Sequence, residues 1–166
     1  GPQEQLPAVV ATGLPTAHPR GLDALIRRGA RADRRLPWEQ LFFDGELGKP
    51  LSKEAAGSYA EVLEMVRLGP SASNKQPWRI VKAGAEWRLY LQRTPGYRQR
   101  NALVGTADMQ RIDMGIAMCH FAMTARVLGL RGQWEMRPAS DVLQPGGRVP
   151  EALTSYVATW HPAPSA

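Results

Sequence analysis

The sequence is poor in the residues that build metal centres and covalent staples. Its 166 residues include one cysteine, Cys119, and three histidines. One cysteine excludes an internal disulfide and any multi-cysteine metal site, so no metal is expected. Such low cysteine usage fits a reducing compartment. A long apolar run is also missing. The longest candidate, Ile112 to Leu130, is interrupted by Asp113, His120 and Arg126 and makes a poor membrane span. No basic start followed by an apolar core reads as a signal peptide. The expectation is a cytoplasmic chain without a membrane partner. HExxH, P-loop, GxSxG and GxGxxG patterns are all absent, which removes the common metal, nucleotide and serine-hydrolase readings.

What is present suits a single domain with a real core, at 43% hydrophobic and 22% charged residues. The formal charge is +6, and "RRGARADRR" places Arg27, Arg28, Arg31, Arg34 and Arg35 together. Such a cluster reads as a solvated face or as a local anion site. A nucleic-acid partner is disfavoured: no zinc finger, RNP-type aromatic signature or helix-turn-helix accompanies the charge.

Residues 6–13, "LPAVVATG", read as a short buried strand, and residues 21–29 as a helix. "DGELGKP" is a turn-rich connector. Ser52 is placed to cap a helix from Lys53 to Leu68, which Gly69 and Pro70 end. "WRIVKAGAEWRLYLQR" predicts a β-hairpin about "AGAE" with one covered face, because Trp87, Leu89 and Leu91 alternate with Arg88, Tyr90 and Gln92. Residues 94–107 read as loop. Asp108 to Leu128 form the strongest helix, stopped by Gly129 or Gly132. Its apolar residues surround most of the axis, so it should be central or lie in an interface. On this helix Asp113 is expected to cap the end or to pair with Arg111 or Arg126, and His120 and Cys119 to pack. Residues 154–160, "TSYVATW", read as a strand, and "HPAPSA" as a loose tail. Strand, basic connector, helix, hairpin, long helix and strand together make an α+β arrangement.

"VRLGPSASNKQPWRIV" closely resembles the flavin-binding signature of the nitroreductase family: Pro-Ser, a following Asn, then Gln-Pro-Trp leading into a strand. "RIDMGIAMCHFAMTARVLGLRGQW" resembles that family's long central helix with its glycine-rich stop. The two blocks cover roughly residues 60–136. A finer resemblance is to fused nitroreductases, in which two half-domains of one chain imitate a homodimer. It implies that residues 1–50 are the tail end of a first half lacking its front, and residues 51–166 a second half. The implied fold is nitroreductase-like, a central antiparallel or mixed sheet with a long buried or interface helix.

The resemblance implies FMN as cofactor, NAD(P)H as hydride donor, and a nitro compound, quinone or similar small molecule as acceptor. Pro70, Ser71, Ala72 and Asn74 would line the isoalloxazine or ribityl chain, and Arg31, Arg34 and Arg35 would hold the phosphate. No catalytic side chain is assigned, since a flavin carries its own chemistry. Self-association, or pairing with a missing N-terminal half, is expected. The alternative is a redox-inactive nitroreductase-like binding or interaction domain, and "GPSASN" taken alone is an ordinary turn composition.

Overall fold

The computed structural model describes residues 34–97, 107–137 and 154–164, together with residues 25, 28 and 29. The expected strand at 6–13, most of the expected helix at 21–29, Arg31, and residues 98–106 of the expected loop lie outside the described residues.

Five strands form one mixed sheet in the order β1-β2-β3-β5-β4. They are β1 (Phe42–Asp44), β2 (Trp78–Ala83), β3 (Glu86–Gln92), β4 (Gly132–Glu135) and β5 (Thr154–Pro162). β2 and β3 form the expected antiparallel hairpin, with Trp78 opposite Leu91 and Ala83 opposite Glu86. β1 runs parallel to β2, so the segment that follows the basic connector joins the same sheet. The helices are α1 (Lys53–Ala56), α2 (Ala60–Leu68) and α3 (Met109–Val127), with a 3-10 turn at Gly57–Tyr59 between the first two. Ser52 caps α1 as expected, its side chain accepting from Ala55 N–H at 3.0 Å. Gly57, at φ 58°, divides what the sequence presents as one helix.

α2 and α3 pack on one face of the sheet. Val62, Leu63, Val66, Met114, Ala117 and Phe121 meet Trp78, Ile80, Trp87, Leu89 and Leu91 there. Phe121 lies at the centre of the aromatic cluster, with ring centroids 5.1 Å from Trp134, 5.3 Å from Trp160 and 5.7 Å from Tyr59. The other face of the sheet is also partly covered, because Tyr90 and Val81 pack with Phe43 and Leu47. β3 is therefore buried on both faces, where alternation suggested one.

Four further expectations change. Cys119, expected to pack, is exposed. α3 buries a single stripe (Gln110, Asp113, Met114, Ala117, Phe121 and Ala125) and leaves Met123 63% and Val127 84% exposed. Its apolar far side is thus not covered by the described residues. Asp108, not Asp113, caps α3, accepting from Arg111 N–H and pairing with Arg93 at 2.8 Å. The tail is not loose from its start: His161 and Pro162 extend β5 by pairing with β4, and Ala163 N–H donates to Arg131 O at 2.8 Å. No helix among the described residues is long and apolar enough to cross a membrane.

Candidate functional site

The loop between α2 and β2 is held in a conformation that its sequence resists. Ser73, Asn74 and Gln76 have φ of 50°, 52° and 45°. Left-handed backbone at non-glycine residues costs of order 1–3 kcal/mol each, least for asparagine, and needs surrounding contacts to persist. Those contacts come from four directions.

Within the loop, Ser71 Oγ accepts from Gln76 N–H at 2.8 Å, and Asn74 N–H donates to Ser71 O at 2.9 Å. From α3, Asp113 Oδ1 accepts the Ala72 N–H at 2.8 Å. From β2, Arg79 Nη1 donates to the Gln76 and Trp78 carbonyls at 2.9 and 2.6 Å, and burial pulls this guanidinium down to about 10. From the basic segment, Leu36 N–H donates to Gln76 Oε1 at 2.9 Å, and Asn74 Nδ2 donates to Arg34 O at 2.8 Å.

Arg35 closes the same junction. Its Nε and Nη2 donate to Leu68 O, both at 3.2 Å, and its Nη1 donates to Asn74 Oδ1 at 3.3 Å. Gln76 is 2% exposed, and its Nε2 also donates to Asn74 Oδ1, at 3.2 Å. The sequence-predicted residues Arg34, Arg35, Pro70, Ser71, Ala72 and Asn74 therefore meet in one place. Arg31 lies outside the described residues. The Asn74 amide, the Ser71 oxygen and the Arg35 guanidinium all take part in holding the loop. Arg34 is exposed, and its side chain makes no hydrogen bond or ion pair with the described residues.

Two residues outside the implied cofactor-binding set are central. Gln76 links the basic segment to the loop. Asp113 is 2% exposed, and its Oδ2 is buried without a hydrogen-bond partner. Burial pushes its carboxyl up to about 6, against the opposing effect of the Ala72 N–H, with the Asp108 charge adding a smaller upward push. The signal was present in the sequence: an aspartate between Ile112 and Met114, one turn inside a helix, needs a polar partner once it is buried. His120 packs beside Gly69, where the tight approach of Val66 O leaves little room for a side chain.

The residues fit a phosphate-bearing ligand. Arg34 offers a free guanidinium beside a rigid loop of small residues, Pro70 and Ser73 are exposed, and the Ser71 hydroxyl proton remains available to donate.

The family described as "Putative TM nitroreductase" matches residues 3–125, which include the basic segment, the strained loop and Asp113. No curated protein sequence matches the chain. A solved structure described as a putative nitroreductase from Thermotoga maritima is similar at 19% identity, with a TM-score of 0.47. The alignment covers 76% of this chain and 41% of that one, so the chain spans about two fifths of the length of that structure. The family match over residues 3–125 establishes that the chain belongs to the nitroreductase family described under that heading.

Proposed function

We propose that the chain is an FMN-dependent oxidoreductase of nitroreductase type, taking hydride from NAD(P)H and passing electrons to a small nitro, quinone or similar acceptor. The observation that carries this reading is the docking of Arg34–Leu36 on the strained loop Pro70–Gln76. FMN, when bound, supplies the hydride and electron chemistry. The chain's own residues bind and position. Arg34 takes the phosphate, with Arg31 as the second basic group that the family resemblance implies. Arg35 and Asn74 fix the basic segment against the loop, and Ser71 and Ala72 keep the loop backbone close to the ring. Asp113 and Gln76 hold that loop from behind. No side chain on this surface is required as an acid or base.

Residues 1–50 and 51–166 are proposed to derive from two nitroreductase-like halves. The parallel pairing of β1 with β2 supports an exchange of strands between such halves. The open apolar side of α3 supports association with a second copy or with a front half.

The test is an FMN titration followed by quenching of flavin fluorescence. Saturable binding is expected, weakened about tenfold in Arg34→Ala, as for the loss of one charge-assisted contact. Asn74→Ala is expected to weaken it further by releasing the basic segment. A redox-inactive binding domain is the second reading, favoured by the engagement of Asn74 and Arg35 with each other. Absence of FMN binding would support that reading instead.

A further inference from the structure

Asp113 ties α3 to the Pro70–Gln76 loop through one oxygen and leaves the other with nothing to bond. Its side chain is 2% exposed, Oδ1 accepts the Ala72 N–H at 2.8 Å, and Oδ2 is buried without a partner. A carboxylate in that setting carries a charge that neither water nor a cation balances. A carboxylic acid carries no charge and still accepts from Ala72 through its carbonyl oxygen.

The charged groups of the surrounding elements do not supply the missing cation. On α3, Asp108 adds repulsion, Arg111 is exposed, and His120, two turns further on, packs beside Gly69. From the basic segment, Arg35 bonds Leu68 O and Asn74 Oδ1, and Arg34 is exposed. From β2, Arg79 bonds the Gln76 and Trp78 carbonyls. Arg67 of α2 pairs with Glu64 at 2.6 Å, and Arg93 pairs with Asp108 at 2.8 Å. The Tyr97 hydroxyl lies 3.4 Å from Ser73 Oγ. Lys75, in the loop itself, does not reach the Asp113 Oδ2 either.

The two partners of this contact are not held equally. Next to Asp113 on the helix, Met114, Ala117 and Phe121 are each 2% exposed or less and belong to the main core. The loop lies at the surface, with Pro70 and Ser73 exposed, and it holds left-handed backbone at Ser73, Asn74 and Gln76. When the carboxyl ionises and needs water, the strained surface loop yields before the packed helix does.

We propose that Asp113 is a proton-operated latch on the Pro70–Gln76 loop: the neutral acid holds the loop in its strained course, and the ionised carboxylate releases it. The sign follows from burial, which raises the carboxyl from 3.8 to about 6 in the latched state. The latch is complete below about pH 3.8 and weakens as pH rises through about 6. The latch concerns the loop itself; only its effect on a cofactor rests on the flavin reading.

The test is amide exchange by NMR on the ligand-free chain, corrected for the intrinsic dependence of exchange on pH. Protection of the Ala72 and Gln76 N–H groups should fall about tenfold between pH 5 and pH 7.5. At every pH these amides should be less protected than those of Ile80 and Leu89 in the hairpin, which marks a local opening. Asp113→Asn copies the neutral acid at all pH values and should show no such fall. The wild-type carboxyl carbon of Asp113 should titrate with the same midpoint as the loss of protection, a comparison that needs no variant. Loop protection that does not vary with pH, an equal fall in Asp113→Asn, different midpoints, or loop amides that open only together with the hairpin would each overturn the proposal. On the flavin reading, saturating FMN should restore loop protection at pH 7.5. FMN that fails to bind would count against that reading alone, and the ligand-free exchange would still decide the latch.

Discussion

Replacing Asp113 by asparagine should change how stability depends on pH. The carboxyl is 2% exposed, with Oδ1 on the Ala72 N–H and Oδ2 unpartnered. Burial raises its pKa from 3.8 to about 6. A carboxyl that holds its proton more tightly when folded favours the fold while protonated. That contribution is complete below about pH 3.8 and is lost as pH rises through about 6. At 1.36 kcal/mol per pH unit the loss amounts to about 3 kcal/mol.

Asparagine keeps the acceptor for Ala72 and carries no charge at any pH. Its amide nitrogen takes the place of an oxygen that already lacks a partner, at a cost of about 1–3 kcal/mol. Urea unfolding at pH 4.5 and pH 8, followed by tryptophan emission, measures the balance. Asp113→Asn should gain on the wild type by about 2 kcal/mol between those two pH values. Glu64, held below the usual carboxylate range by Arg67, titrates in both proteins and cancels in the comparison. A difference between the two proteins that does not vary with pH would refute the reasoning. So would a variant that loses ground as pH rises, because that would mean the ionised carboxylate has a cationic partner.

Gly132→Ala should destabilise by about 1–3 kcal/mol in thermal unfolding, because the new methyl meets the His161 carbonyl and the Trp160 ring, each at 2.6 Å. Gly129→Ala should cost only about 1 kcal/mol, from left-handed strain in open space. Ser52→Ala should cost about 1 kcal/mol by removing the cap on Ala55 N–H, read as a lower urea midpoint. Val127→Lys, at a position 84% exposed, should leave stability within about 0.5 kcal/mol and reduce self-association in sedimentation experiments.

The hairpin and α3 were legible because their runs are long and glycines mark the turn and the stop. The meeting of the basic segment with the Pro70–Gln76 loop followed only from the family resemblance, since no local pattern joins residues 40 positions apart. Three features escaped the sequence reading for physical reasons. β1 and β4 are three and four residues long, too short to show alternation, and β4 begins with a glycine chosen by contact with Trp160. The true cap of α3 was missed because Asp108 and Asp113 both stand near its start, and only the fold places one at the terminus and the other against the loop. Left-handed backbone at Ser73 and Gln76 is invisible in residue types that do not favour it.

The most direct test of the central claim is the FMN titration of the wild-type chain beside Arg34→Ala and Asn74→Ala. The account predicts saturable quenching for the wild type and weaker binding in both variants. Absence of binding by the wild-type chain, or affinities equal in all three proteins, would contradict it.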